Sequence, residues 1–256
     1  MKTAYCKIIP CLDVKDGRLV KGVNFVNLKE IGAPAESAAA YDQAGADELV
    51  FLDISATLEG RRTLLDAVGR TVDAITIPLT VGGGIRSLDD MQTLFDLGVA
   101  KISVNSAAVR NPELIRQAAE KFGSDKITVA IDTRKSATLP SGYEVVVRGG
   151  TEGVERDAVE WARQAEALGA GAILPTSMDT DGKQNGYDLP MNRAIADAVR
   201  LPVIASGGAG ALEHLYEAVA DGHADAVLVA SIAHFGTFSI RQMKEYLDSR
   251  GIGVRM

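Results

Sequence analysis

Eight short apolar runs recur along the chain, near Ile8–Leu12, Leu49–Leu52, Ile77–Val81, Ile102–Val104, Ile127–Ile131, Ala172–Leu174, Pro202–Ala205 and Ala226–Val229. Each is short enough for a strand, and the stretches between them carry helical periodicity. The punctuation agrees: Pro34, Ser87 and Asn111-Pro112 stand early in three of these stretches, with Gly45, Gly98 and Gly123 late. Pro190 opens a later one, and Gly222 and Gly251 close others. Strand and helix alternating eight times in 256 residues is the rhythm of a closed parallel (β/α)8 TIM barrel, although an open doubly wound sheet shares the local pattern.

Internal repetition favours closure. Gly83-Gly84 recurs as Gly207-Gly208 at an offset of 124, Asn105-Ser106 as Ala230-Ser231 at 125, and Asp13 as Asp132 at 119. Each offset is near half the chain, so residues 1–256 read as a single barrel built from two similar half-barrels that hide each other's strand edges. Pro10 and Pro175 each lack a ladder donor and are expected near bulges or strand ends.

Composition narrows the function classes. With 46% apolar and only 5% aromatic residues, the chain suits strands covered by helices. A net charge of −7 without a basic cluster gives no support to a nucleic-acid surface. No apolar run reaches membrane-spanning length and the N-terminus lacks a secretory core, so a cytoplasmic location is expected. Cys6, Cys11, His214, His223 and His234 show no metal-ligand spacing, so no metal is expected. Cys11, inside an apolar run, reads as packing, and Cys6 as a reduced thiol.

In such barrels chemistry sits at the C-terminal ends of the strands. Asp13 and Asp132 close the first and fifth runs, and two carboxylates across one mouth can divide acid and base work. A helix cap or loop ion pair is the alternative for either. Asp53, Asp179 and Asp181 follow the second and sixth runs as weaker candidates. The glycine segments after the third and seventh runs let backbone amides approach an anion, and Asn105-Ser106 and Ala230-Ser231 stand where each would be completed. A single such segment is more simply a tight turn. Repeated at matched positions, the two imply a substrate phosphorylated at both ends, with Lys21 able to add a charge. Two long connections, Val14–Gly32 and Thr133–Gly153, adjoin the aspartates. Asp16-Gly17 and Gly22 suggest a mobile lid in the first, and Tyr143–Val147 a short extended piece in the second.

Together, Cys11-Leu12-Asp13-Val14-Lys15-Asp16-Gly17-Arg18, Asp47–Asp53, Val81–Arg86, Ala205–Gly210 and Asp181-Gly182 followed by Asn185-Gly186-Tyr187-Asp188 resemble the cyclase-subunit family of imidazole glycerol phosphate synthase. The similarity runs from about Lys7 to Arg255. It implies the fifth step of histidine synthesis. Ammonia attacks a doubly phosphorylated ribulosyl-formimino-aminoimidazole carboxamide ribotide, giving imidazole glycerol phosphate and aminoimidazole carboxamide ribotide. The ammonia comes from a glutaminase subunit docked at the N-terminal face, and no metal or redox cofactor is implied.

By the same resemblance Asp13 and Asp132 are the general acid and base, with Asp181 assisting. Gly84, Asn105 and Ser106 match one phosphate site and Gly208, Ala230 and Ser231 the other, while Lys21, Asp53, Thr176 and Ser206 line the pocket. Lys7, Glu48 and Lys101 match three positions of a charged ring at the ammonia entrance. Two carboxylates common in that family are replaced by Ala172 and Ala100, so the entrance is expected to be looser. The related isomerase acting one step earlier shares the fold, the repeat, the paired aspartates and a bisphosphate substrate. The segments Asp16–Gly22 and Gly186-Tyr187-Asp188 resemble the cyclase instead. A non-catalytic anion-binding scaffold is the reading from another class, and intact strand-end aspartates oppose it.

Overall fold

The computed structural model describes residues 5–23, 26–54 and 58–256, apart from the side chains of 21–29, 31 and 58–62. In chain order the strands are β1 (Lys7–Lys15), β2 (Arg18–Val23), β3 (Val26–Gly32), β4 (Leu49–Asp53), β5 (Leu79–Gly82), β6 (Lys101–Val104), β7 (Ile127–Lys135), β8 (Tyr143–Val147), β9 (Glu152–Asp157), β10 (Ala172–Ser177), β11 (Ile204–Ala205) and β12 (Ala226–Val229). Parallel ladders join β1 to β4, β4 to β5, β5 to β6, β6 to β7 and β7 to β10. Two bridges, Ile173↔Val203 and Thr176↔Ser206, carry the sheet on to β11, which pairs with β12. The β12–β1 ladder, from Lys7↔Ala226 to Pro10↔Val229, then closes the ring. This is the (β/α)8 barrel that the alternation implies.

The half-barrel repeat is visible in hydrogen bonds as well as residues. Leu49 N donates to Pro78 O at 2.9 Å, and 124 positions later Ile173 N donates to Pro202 O at 3.0 Å. The amide of Thr76 is held by Asp42 on the first helix, and that of Arg200 by Glu166 at the matched place. Ile54 N donates to Val14 O and Met178 N to Thr133 O, pinning each barrel strand beside its candidate aspartate.

Three expectations change. The first and fifth strands do not end before Asp13 and Asp132, because the long connections fold as antiparallel hairpins, β2–β3 and β8–β9, whose first strands pair with prolonged β1 and β7. In the first connection, read from sequence as a lid, Asp16 and Gly17, at φ 50° and 76°, form the tight turn between β1 and β2, so the connection takes the form of a hairpin. Two successive residues at positive φ match the twist of a hairpin. Finally, Pro10 and Pro175 lie within barrel strands. Pro10 stands where β1 passes from its β12 partners to its β4 partners. Pro175 lies between the two β10–β11 bridges, where its missing donor leaves a gap instead of a continuous ladder.

Helices α1 (Pro34–Gln43), α2 (Leu58–Asp73), α3 (Leu88–Asp96), α4 (Ser106–Arg110), α5 (Glu113–Phe122), α6 (Ala158–Ala167), α7 (Leu189–Ala198), α8 (Leu212–Ala220), α9 (Ser231–His234) and α10 (Ile240–Ser249) follow the strands. Their starts are encoded locally. Ser87 and Asp90 form a capping box on α3, Ser239 and Gln242 another on α10, and Asp157 accepts from Val159 N and Glu160 N on α6.

Alternation along the strands separates two cores. Ile8, Leu12, Phe51, Val129 and Val227 point outward under the helices, whereas Ile9, Cys11, Val50, Leu174, Ile204 and Leu228 fill the barrel. Cys11 is thus a packing residue, and both cysteines are buried thiols outside any disulfide. Burial first, then the neighbouring negative charge of Asp47, pushes the Cys6 thiol up to about 12, so it stays protonated. Among the described residues no helix is long and apolar enough to cross a membrane.

Candidate functional site

The inward set that fills the barrel continues, two residues at a time, into polar side chains at both ends. On β1 the series is Lys7, Ile9, Cys11 and Asp13; on β7 it reaches Asp132 and on β10 Thr176. Because the strands are parallel, Asp13, Asp132, Asn105, Thr176 and Ser206 share the C-terminal mouth, while Lys7, Glu48, Lys101 and Ala172 share the opposite base. The period of two therefore puts the mouth and the base on one interior face, about 20 Å apart along β1 at roughly 3.3 Å per residue.

At the mouth Asp13 is buried, 6% exposed, and its Oδ1 accepts from Cys11 Sγ at 3.6 Å. Asp132 stands beside Thr176 in the β7–β10 register and beside Val146 in the β7–β8 register. Its carboxyl is pushed up to about 7, first by burial and then by the negative charge of Asp181, against a hydrogen bond from Asn105 that favours the ionised form. That bond leaves the buried amide oxygen of Asn105 without a partner. An acid so held can give or take a proton near neutrality, which an ordinary aspartate cannot. Asp181 is placed by its own amide, which donates to Ser177 O at 2.9 Å. Asp179 instead serves the scaffold, since its carboxylate accepts from Lys135 N at 2.8 Å and fastens the β8 hairpin to the loop after β10.

The two glycine turns match in backbone conformation, Gly83 and Gly84 at φ 92° and 66° and Gly207 and Gly208 at 85° and 113°. The residues opening α4 and α9 match too: Asn105 lies at φ −129°, ψ −96° and Ala230 at −131°, −83°. The reasons for glycine differ, however. A Cβ on Gly83 would run into the carbonyl of Asp53, and one on Gly208 into that of Gly186, so these are close-approach glycines. A Cβ on Gly84 would meet only Asp53 Oδ2 at 3.8 Å, so it is there that the missing side chain leaves room at the mouth. The Ser106 hydroxyl accepts from Arg148 N at 3.2 Å, joining the first turn to the β8–β9 hairpin. Ser231 opens α9 at the matched place. The Lys21 side chain lies outside the described residues.

At the base Glu48 is held between two cations: Lys7 Nζ at 2.6 Å, and Lys101 Nζ at 2.8 and 2.7 Å from its two oxygens. Burial resists ionisation of Glu48, but Lys101 and Lys7 outweigh it and hold the carboxyl below its usual range. One carboxylate thus serves both lysines. Among the described residues no three His, Cys, Asp or Glu side chains form a metal cluster.

Sequence reasoning passed over Asp188 as a structural centre. Buried at 5% exposure, it caps α7 through Met191 N and accepts from Tyr143 Oη at 2.9 Å and Ser177 Oγ at 3.1 Å, tying β8, β10 and α7 together behind Asp132. The helix-opening run Asp188-Leu189-Pro190 was the available signal. The histidine biosynthesis protein family matches residues 7–239, from the first strand of the barrel to the last cap before α10, and the chain belongs to this family of (β/α)8 barrel enzymes.

Proposed function

We propose that the chain is the cyclase of the pathway, joining ammonia to the doubly phosphorylated formimino ribotide and releasing imidazole glycerol phosphate and aminoimidazole carboxamide ribotide. The observation that carries the reading is the single interior face with Asp13 and Asp132 at one end and the Lys7–Glu48–Lys101 cluster at the other. An isomerase has one substrate and one opening to serve. A charged closure at the far end of an interior lined by Val50, Leu174 and Leu228 together with the small polar side chains of Thr80, Ser103 and Thr128 suits a second, small neutral reactant arriving from a partner, here a glutaminase docked on the N-terminal face. Asp132, held near neutrality, gives and recovers the proton as the imine forms and the ring closes. Asp13 is its opposite number across the mouth, and Asp181 keeps the Asp132 proton bound. Gly84 with Asn105 and Ser106 receives one phosphate; Gly208 with Ala230 and Ser231 receives the other. Lys21, Asp53, Thr176 and Ser206 line the space between.

Incubating the purified chain with synthetic bisphosphorylated substrate, with and without ammonium, tests the proposal. Ammonium-dependent loss of substrate is expected; rearrangement independent of ammonium identifies an isomerase, and bound anion without turnover identifies a scaffold. Gly84→Ala is the informative variant at the first phosphate turn. A Cβ at φ 66° costs about 1–2 kcal/mol of stability. Crowding at the anion is expected to raise KM with little change in kcat, and an unchanged KM removes Gly84 from the site.

The base supplies another prediction. One carboxylate between two lysines leaves a net positive opening, and Ala172 begins β10 on the same interior face. Ala172→Glu combined with Ala100→Asp is expected to tighten the ratio of glutamate released to imidazole product formed when the glutaminase supplies ammonia, leaving ammonium-supported turnover unchanged. One-to-one stoichiometry in the unmodified pair would show that neither alanine matters.

A further inference from the structure

The two anion turns are alike in backbone but not in how they are fastened. His234 ends α9, four residues after the Ala230 turn, and its ring reaches back across the barrel wall. Nε2 lies 2.8 Å from the carbonyl oxygen of Cys11, and Nδ1 lies 2.8 Å from Tyr41 Oη on α1. A carbonyl only accepts, so Nε2 carries the proton and the bare Nδ1 accepts from the tyrosine hydroxyl. The Tyr41 and His234 rings also meet edge to face at 5.7 Å. The β1–β12 ladder stops at Pro10↔Val229, so His234 takes the next carbonyl of β1, two residues before Asp13. At the matched position of the other half-barrel stands Val109, buried and apolar, and the counterpart of Tyr41 is Ala165.

We propose that His234 is a positioning residue that locks the Ala230-Ser231 turn to the strand bearing Asp13. The proposal rests on the reading of that turn as a phosphate site. The clamp breaks the two-fold repeat: the Ala230-Ser231 turn is tied to its acid/base strand by a histidine from the helix behind it, whereas the Asn105-Ser106 turn is tied by its own side chains, Asn105 to Asp132 and Ser106 to Arg148 N. An orienting group of this kind matters through precise placement of the groups that it supports.

Titration of the intact protein with inorganic phosphate, followed by the amide resonances of residues 230–231 and of residues 105–106, tests it. His234→Phe keeps the ring and removes both hydrogen bonds; His234→Gln keeps a donor at the reach of Nε2. The phenylalanine variant is expected to weaken phosphate binding at 230–231 by about 3–10-fold, the value of roughly one net hydrogen bond, and to leave 105–106 unchanged. With bisphosphorylated substrate it raises KM by a similar factor and kcat changes by less than about twofold, and glutamine restores both readouts. Tyr41→Phe, a smaller change, moves the same amides in the same direction. Unaltered binding in His234→Phe, a glutamine variant as weak as phenylalanine, or a silent Tyr41→Phe overturns the clamp. Absence of phosphate shifts at 230–231 in the unmodified protein overturns the phosphate reading itself, and is told apart by appearing before any substitution.

Discussion

Asp132→Asn lowers turnover by roughly 10²–10⁴-fold while the barrel stays folded, the loss expected when a positioned acid or base is removed. Asp13→Asn has an effect of the same size, since neither carboxylate can replace the other across the mouth. The first variant also carries a stability signature of defined sign. The Asp132 carboxyl is raised from 3.8 to about 7, by burial and then by Asp181, so between those values the folded chain keeps a proton that the unfolded chain has released. Its contribution is complete below about pH 4 and is lost as pH rises through about 7. Asparagine cannot ionise, so Asp132→Asn gains stability over the parent as pH rises from 4 to 8, and the advantage shrinks again in acid. Urea unfolding at pH 4.5 and pH 8 measures this. An equal difference at both values, or near-parental turnover, removes Asp132 from its assigned place.

Asp47→Ala is expected to cost the most stability, about 3–5 kcal/mol, because it leaves a buried ammonium without its counter-charge. Asp47 is 5% exposed and Lys244 4%, and Oδ1 and Nζ lie 2.9 Å apart. The other oxygen of Asp47 accepts from Ile8 N at 2.9 Å, at the foot of β1, while Lys244 also donates to Arg255 O at 2.6 Å. With Cys6 N bonded to Gly253 O, the pair stitches the C-terminal tail to the strand that carries Lys7 and Asp13. The urea midpoint of Asp47→Ala should fall sharply with the denaturant slope unchanged. Asp47→Leu combined with Lys244→Met should recover much of the loss, because removing both charges removes the desolvation penalty as well as the attraction. A single variant within about 1 kcal/mol of the parent would mean that Lys244 finds water or another partner.

The features legible in the sequence are the periodic and repeated ones. Eight apolar runs sufficed for the barrel, and the spacing of Asp13 and Asp132 put both at its mouth, because alternation along a strand is a local rule. Strand ends were harder. A hairpin that prolongs β1 to Lys15 and β7 to Lys135 is decided by partners that the local pattern does not name. Pro10 and Pro175 were misplaced for a related reason: a closed, tilted barrel shares each strand unevenly between its neighbours, and a proline can sit where one ladder hands over to the next. Least legible were contacts between residues far apart in the chain. Nothing local marks Lys244 as the partner of Asp47, 197 residues away, or His234 as the donor to Cys11, 223 residues away. The roles of Gly84 and Gly208 also looked alike in sequence and separated only when their neighbours, Asp53 and Gly186, were in place.

Whether this barrel joins ammonia to its bisphosphorylated substrate, as proposed, is tested most directly by following the nitrogen. The purified chain, supplied with substrate and ¹⁵N-ammonium, should form imidazole glycerol phosphate with one ¹⁵N in the imidazole ring and leave aminoimidazole carboxamide ribotide unlabelled, at a rate roughly 10²–10⁴-fold lower in Asp13→Asn and Asp132→Asn. Product formed without the label, or conversion of substrate to an isomer of the same mass, would contradict it.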